Sequence, residues 1–334
     1  MPLALSILDQ SPVVSGATPR DAVLATIELA RRADELGYVR YWLAEHHAMR
    51  GLADAAPEVL LARLTAETSR IRLGSGGVML PHYSAFKVAE TFRMLDALAP
   101  GRIDLGVGRA PGGTGLVAAA LETRDPSLFP QQIAETIGYL EDTTPASSEF
   151  ASLPVMPAGT TAPELWVLGS SEYGALLAAN MGLPYAYAHF IGGEATHIAR
   201  AYRDRFRPNA RMQQPRCIVA TAAIVAPTDA EAEELALPLK LWRASIMRGH
   251  GGPIPSLAEA RAYPWTPLER NQIERSRRIV TGSPVTVRAA IEQIAEAYGA
   301  DEAMIVTITP DYATRLRSYE LLADVFARPQ SRVS

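Results

Sequence analysis

Tyr38-Val39-Arg40-Tyr41-Trp42-Leu43-Ala44-Glu45-His46-His47 decides the fold. A largely apolar run, with little polar alternation, stops abruptly at an acid and two histidines. Parallel strands buried on both faces read this way. Polar groups gathered at a strand's C-terminal end belong to the active-site rim of an α/β barrel.

Working outward, the pattern recurs. Short apolar runs at 3–8, 38–44, 71–80, 103–107, 165–169, 185–189, 217–225 and 303–308 alternate with longer amphipathic segments, the signature of βα units. They predict a single (β/α)8 barrel over 1–334, and that length suits a barrel with insertions. Local signals frame the helices. Thr18-Pro19-Arg20-Asp21 supplies an N-cap, a first-turn proline and an acid at N3, and Gly37 ends that helix. Ser84, Thr228-Asp229-Ala230-Glu231, Ser283-Pro284 and Thr309-Pro310-Asp311 open others. Two stretches break the rhythm, 143–163 (Pro, Ser, Thr, Ala) and 246–267 (Gly, Pro, Arg). Both are expected to be insertions enlarging the loops of the C-terminal rim. Residues 328–334 read as a frayed end.

An open doubly wound sheet would need a glycine fingerprint after its first strand. Asp9-Gln10-Ser11-Pro12 stands there instead, and Gly106-Val107-Gly108-Arg109-Ala110-Pro111 is a poor substitute. A formal net charge of −4 and a pI of about 5.9, with no basic run, point away from nucleic acid. No apolar run is long enough to span a bilayer. The opening MPLALSILDQSP reads as a first strand rather than a signal peptide. The single cysteine, Cys217, allows no internal disulfide and reads as inert packing. A cytoplasmic protein is expected.

The rim residues each admit two readings. Glu45 could orient an imidazole or neutralise an arginine. His46 and His47 are neighbours in an extended chain and so point apart, a poor pair for one metal; none is expected. Gly76-Gly77 is either a bend or room for a flat ring against the backbone. Arg109 pairs with Glu45 or Asp104, or clamps a phosphate or an electron-rich ring. Ser170 and Ser171 cap the helix that follows, which is compatible with an anion on the same N-terminus. His82 and His189 are weaker candidates, on rim position alone.

These residues resemble a known family. Trp42-Leu43-Ala44-Glu45-His46-His47, Gly74-Ser75-Gly76-Gly77-Val78-Met79-Leu80-Pro81 and Pro100-Gly101-Arg102-Ile103-Asp104-Leu105-Gly106-Val107-Gly108-Arg109 are similar to the luciferase-like monooxygenases, closest to their MsnO8-type branch. Val280-Thr281-Gly282-Ser283-Pro284 and Ser318-Tyr319-Glu320-Leu321-Leu322-Ala323 match as well, and the likeness is weakest in the two insertions. The resemblance implies a homodimeric (β/α)8 barrel that binds reduced FMN or the deazaflavin F420. It makes His46 the group that moves protons near the flavin, with Glu45 beside it, and gives His47 a place at the cofactor. It also makes Arg109 and Ser171, with Ser170, the phosphate contacts, and sets Gly76-Gly77 under the ring, where relatives often carry a cis peptide. The chain departs at Gly174, where relatives often have a second hydroxyl, and at Gly108, where luciferase has a reactive cysteine. Light emission is therefore not expected.

Three functions follow. The first is a two-component monooxygenase using FMNH2 from a separate NAD(P)H:flavin reductase, with O2, on a small organic substrate. The second is an F420-dependent hydride-transfer enzyme, and the third a non-catalytic flavin-binding protein. The absence of an NAD fingerprint fits delivery of a flavin already reduced.

Overall fold

The structure, a computed structural model, describes residues 3–109, 113–145, 147–276 and 278–327. The expected frayed end at 328–334 lies outside them. The strands are β1 (Ala4–Asp9), β2 (Arg40–Leu43), β3 (Arg72–Met79), β4 (Ile103–Gly108), β5 (Glu164–Gly169), β6 (Tyr185–Ala188), β7 (Cys217–Val225), β8 (Ile279–Gly282) and β9 (Glu302–Val306). All pairings are parallel. The ladder runs β1 to β7 in order, and β9 joins β7 back to β1. That closes an eight-stranded barrel wrapped in helices, the (β/α)8 fold. The eight strands are those read from the sequence. β8 is additional. It pairs only with the C-terminal half of β7, Ala222 to Val225, and Ile279-Val280-Thr281-Gly282 is only partly buried, so it lacks the long apolar run of the barrel strands.

The lack of polar alternation has a physical origin. Alternate residues serve two apolar cores. Ile7, Tyr41, Leu43, Leu73, Leu105, Val167 and Ile305 point outward to the helices. Leu8, Trp42, Trp166, Ala186, Ala220 and Met304 point inward. Two indoles fill the barrel, with Trp42 and Trp166 edge to face at 5.6 Å. Gly74 makes room for them, since a Cβ there would lie 2.7 Å from Trp42 Nε1.

The N-terminal face is sealed by ions. Arg40 Nη1 donates to Asp104 Oδ2 at 2.7 Å and Arg40 Nε to Glu302 Oε2 at 3.0 Å. Trp42 Nε1 donates to the same Asp104 oxygen at 3.0 Å, and Arg72 also pairs with Asp104. Cys217 is buried, and burial pushes its thiol up to about 12, consistent with inert packing.

The local helix signals hold. Thr18 and Thr228 form capping boxes with Asp21 and Glu231, and Gly37 ends the first helix at φ 83°. Ser84 and Ser283 stand at N-cap positions but make no side-chain cap bond. The placement of one insertion needs correction. Segment 143–163 joins the helix Phe129–Leu140 to β5, and a helix-to-strand connection reaches the N-terminal ends of the strands, not the rim. Arg93 holds Val155 O there at 3.0 Å, and Thr161 donates to Asp96 at 2.6 Å. Segment 246–267 does lie at the C-terminal rim. Ile254 bridges Val14, just beyond β1, and belongs to the inner apolar cluster.

Candidate active site

The rim is built from loops that brace one another. Beyond β1, Val13 N–H donates to Gly51 O at 2.9 Å and Ala53 N–H donates to Ser11 O at 3.0 Å. These bonds fix the loop after β2 and bring Asp54 under His46. His46 Nδ1 lies 2.9 Å from Asp54 Oδ2. Asp54 is buried, its Oδ1 has no partner among the described residues, and burial pushes its carboxyl above the ordinary range despite the pull of His46. With Asp54 ionised, Nδ1–H is the donor and His46 Nε2 keeps the lone pair. His46 is half-buried, and Nε2 has no partner among the described residues.

The adjacent side chains part company. Glu45 is buried and turns away from His46. Its Oε1 accepts from His47 Nε2 at 2.7 Å and from Tyr83 OH at 2.8 Å, and its Oε2 accepts from Met79 N–H at 2.9 Å. Burial, then the Glu45 charge, pushes the Tyr83 phenol up. His47 also meets His82 edge to face at 5.6 Å, and His82 Nδ1 lies 2.8 Å from Thr123 Oγ1. Glu45, His47 and His82 thus bring a carboxylate oxygen and two ring nitrogens within 4.8 Å of one another. The sequence weighed His46 with His47 and not this set. Glu45 already accepts three hydrogen bonds, so a cation would have to displace at least the one from His47. Glu45 therefore orients an imidazole, as one reading had it, but that of His47. The residue that orients His46 is Asp54, which no motif marks.

Gly76-Gly77 is a cis peptide. A Cβ on Gly76 would lie 2.5 Å from Leu8 Cδ1, and one on Gly77 would lie 2.7 Å from Gly106 O. The strand end is bare backbone because no side chain fits.

Arg109 pairs with neither Glu45 nor Asp104, whose oxygens are taken. Its guanidinium lies over the ring of Tyr173, 4.3 Å from the centroid. Tyr173 belongs to the first turn of the helix Glu172–Met181, and Ser171 is the extended N-cap residue, with no side-chain cap bond. Residues from the ends of β4 and β5 thus meet at one helix N-terminus, whose N–H groups and dipole favour an anion. Ser170 packs beside Gly192, where a Cβ would come within 3.1 Å of its own Cβ. Gly174, lacking a hydroxyl, leaves this end to backbone donors and Ser171. His189 is not at the rim surface. It is buried with Nδ1 3.1 Å from Thr221 Oγ1, and burial lowers its pKa.

A family model described as luciferase-like monooxygenase matches residues 1–302. The chain belongs to the luciferase-like monooxygenase family. Among family relatives, it is 44% identical to the protein YceB of Bacillus subtilis, over 96% of this chain and 99% of that one. It is 36% identical to the N-acetyl-S-alkylcysteine monooxygenase of the same organism, over 96% and 98%. The crystal structure of apo-MsnO8 superposes with a TM-score of 0.89 at 41% identity, covering 98% of this chain and 99% of that one. Two more distant structures share the fold alone. One is the oxygenating constituent of 3,6-diketocamphane monooxygenase in complex with FMN (TM-score 0.70, 19% identity), from Pseudomonas putida, covering 97% of each chain. The other is an F420-dependent secondary alcohol dehydrogenase (TM-score 0.68, 15% identity), covering 98% of this chain and all of that one. Family membership makes this chain a monooxygenase-type oxidoreductase. Among the described residues no helix is long and apolar enough to cross a membrane.

Proposed function

We propose that this family member is an FMN-dependent monooxygenase that receives FMNH2 from a separate reductase and uses O2 on a small organic substrate. The observation that carries the reading is Arg109. Its guanidinium meets no acid among the described residues and stands on Tyr173 at the start of the helix that Ser171 opens. A flavin phosphate is the anion this corner suits, and the bare Gly76-Gly77 backbone suits a flat ring.

When bound, reduced flavin supplies the electrons that activate oxygen. The chain's own residues do the rest. Arg109, Ser171 and the first N–H groups of their helix hold the phosphate, with Ser170 beside them. His46 gives or takes a proton at Nε2, and Asp54 fixes its ring so that this nitrogen stays available. Glu45 holds His47 at the cofactor's edge while its other oxygen pins the backbone at Met79. Leu168, Phe190 and Ile279, partly buried on the inner cluster, keep water from the mouth. Val59 on the helix Pro57–Thr65, with Met94 and Leu98 on the neighbouring helix Ala85–Leu98, is exposed. These exposed apolar side chains are ones that a second copy would cover in a homodimer.

The test is a stopped-flow mix of O2 with protein loaded anaerobically with FMNH2. Oxidised-flavin absorbance returns more slowly than from free FMNH2. Arg109→Met weakens FMN about tenfold or more and leaves riboflavin unchanged. Equal reoxidation rates with and without protein, together with turnover of F420H2, would transfer the barrel to hydride chemistry. N-Acetyl-S-benzylcysteine is the first substrate to try, because a relative acts on that class.

A further inference from the structure

Among the described residues, arginines that are withdrawn from solvent are partnered, with one exception. Arg40 and Arg315 hold carboxylates, Arg93 and Arg203 hold carbonyls, and Arg216 holds Glu164. Arg32, Arg72, Arg102 and Arg288 likewise have acids, carbonyls or hydroxyls. Arg243 is half-buried and, among the described residues, has no hydrogen bond, ion pair or ring contact.

Its position is informative. On the helix Leu237–Met247, residues 239, 242, 243 and 246 fall at helical spacing on one stripe. Leu239 and Trp242 are buried in the inner cluster with Leu8, Val14, Ile254 and Ile308, and Ile246 packs against it. Arg243 therefore shares the stripe that turns toward the barrel mouth. A second guanidinium comes close. Arg278 leads into β8, whose Ile279 packs on the same cluster, and its Nε lies 3.6 Å from where a Cβ on Gly193 would sit. Burial, then the positive charge of Arg278, pushes Arg243 down to about 10. Glu194 is an acid beside Gly193, yet it forms no ion pair among the described residues, and Arg278 has no partner there either. Two like charges at one apolar wall, neither paired with an acid among the described residues, is an arrangement that an incoming anion completes.

We propose that Arg243 and Arg278 form an oxyanion-recognition site at the mouth, and that the oxyanion is a carboxylate carried by the organic substrate. This rests on the flavin reading above for what happens after binding, but not for the binding itself. The flavin phosphate offers similar chemistry. It has its own corner at Arg109 and Ser171, whereas Arg243 shares its helix stripe with Leu239 and Trp242, which pack with Leu8 of β1 and Ile308 just beyond β9.

The experiment is binding to the full chain by calorimetry, with and without oxidised FMN. The probes are N-acetyl-S-benzylcysteine, phenylacetate and hexanoate, each against its uncharged carboxamide. At least one acid binds tenfold or more tighter than its amide. Arg243→Met and Arg278→Met each reduce that acid to the amide's affinity, while Arg243→Lys keeps part of the preference. Arg278 is exposed, so Arg278→Met folds even if Arg243→Met does not. FMN and riboflavin affinities stay unchanged in both variants. No acid preference in any pair, or a preference that survives both substitutions, overturns the site. Loss of FMN but not riboflavin affinity assigns the pair to the cofactor phosphate and overturns the substrate assignment. Acid preference in a protein that binds no FMN would leave the site standing and remove the flavin reading.

Discussion

Replacing Asp54 should separate the protein's stability from its chemistry. Asp54 is 3% exposed, its Oδ2 lies 2.9 Å from His46 Nδ1, and its Oδ1 has no partner among the described residues. An unpartnered buried acceptor costs about 1–3 kcal/mol, and a hydrogen bond to a charged group returns about 1.5–3 kcal/mol. The two nearly cancel, so Asp54→Asn leaves the unfolding free energy at pH 7 within about 1 kcal/mol of the parent. The pH dependence has a definite sign. Burial raises the folded carboxyl above its unfolded value, so the fold favours the protonated form. The wild-type contribution is then greatest in acid and declines as pH rises from the unfolded carboxyl range through the folded one. Asparagine does not titrate, so urea unfolding shows the variant gaining on the parent from pH 4 to 7. The chemistry goes the other way. A neutral amide neither holds the imidazolium nor enforces the Nδ1–H tautomer, so turnover falls about ten- to hundredfold. A variant that loses 3 kcal/mol or more with turnover intact would show that Asp54 secures the loop and not the ring.

Arg315→Met strands a buried carboxylate. Arg315 Nη2 donates to Asp9 Oδ1 at 2.6 Å, and loss of such a partner costs about 3–5 kcal/mol. Burial alone would raise Asp9, but Arg315, Tyr41 and Ser11 bring it below the usual value. The wild type's added stability is therefore present above the unfolded aspartate range and is lost as pH falls through the lower folded pKa. Urea midpoints at pH 7 and pH 3 test this, and an unchanged pH 7 midpoint would refute it. Gly106→Ala puts a Cβ 2.2 Å from Ser75 O and 2.8 Å from Leu168 Cδ1. Backbone cannot yield as a side chain does, so it costs about 1–3 kcal/mol, read as a lower midpoint; no change would mean that β3 and β4 have slack.

The strands were legible because a barrel buries both faces of each. Tyr41 outward and Trp42 inward leave an apolar run rather than a pattern of period two. The caps were legible because Thr18 and Asp21 are three residues apart and need nothing else. The rim residues Glu45, His46, Arg109 and Ser171 could be placed by their position after a strand. Their partners could not. Asp54 meets His46 because Ser11 and Val13 hold the loop after β2. Tyr173 meets Arg109 because β4 and β5 are neighbours. Segment 143–163 has the composition of a rim loop, and only its place after a helix sends it to the other face.

The distribution of charge, more than its total, then governs what this mouth can hold. The chain carries a formal charge of −4, which by itself repels anions. At the N-terminal face Arg40, Arg72 and Arg216 are matched by Asp104, Glu164 and Glu302. At the C-terminal face Arg109, Arg243 and Arg278 meet no acid within bonding distance among the described residues, while Asp54 and Glu45 are tied to histidines. At physiological ionic strength a Debye length is about 8 Å, so an approaching ligand senses the nearest arginines more than the distant acids. A small net negative charge is thus compatible with an anion-seeking site. Raising the salt from 0.05 to 0.5 M should therefore weaken FMN binding and leave riboflavin nearly unaffected. Equal salt sensitivity of the two would mean that the phosphate does not reach Arg109.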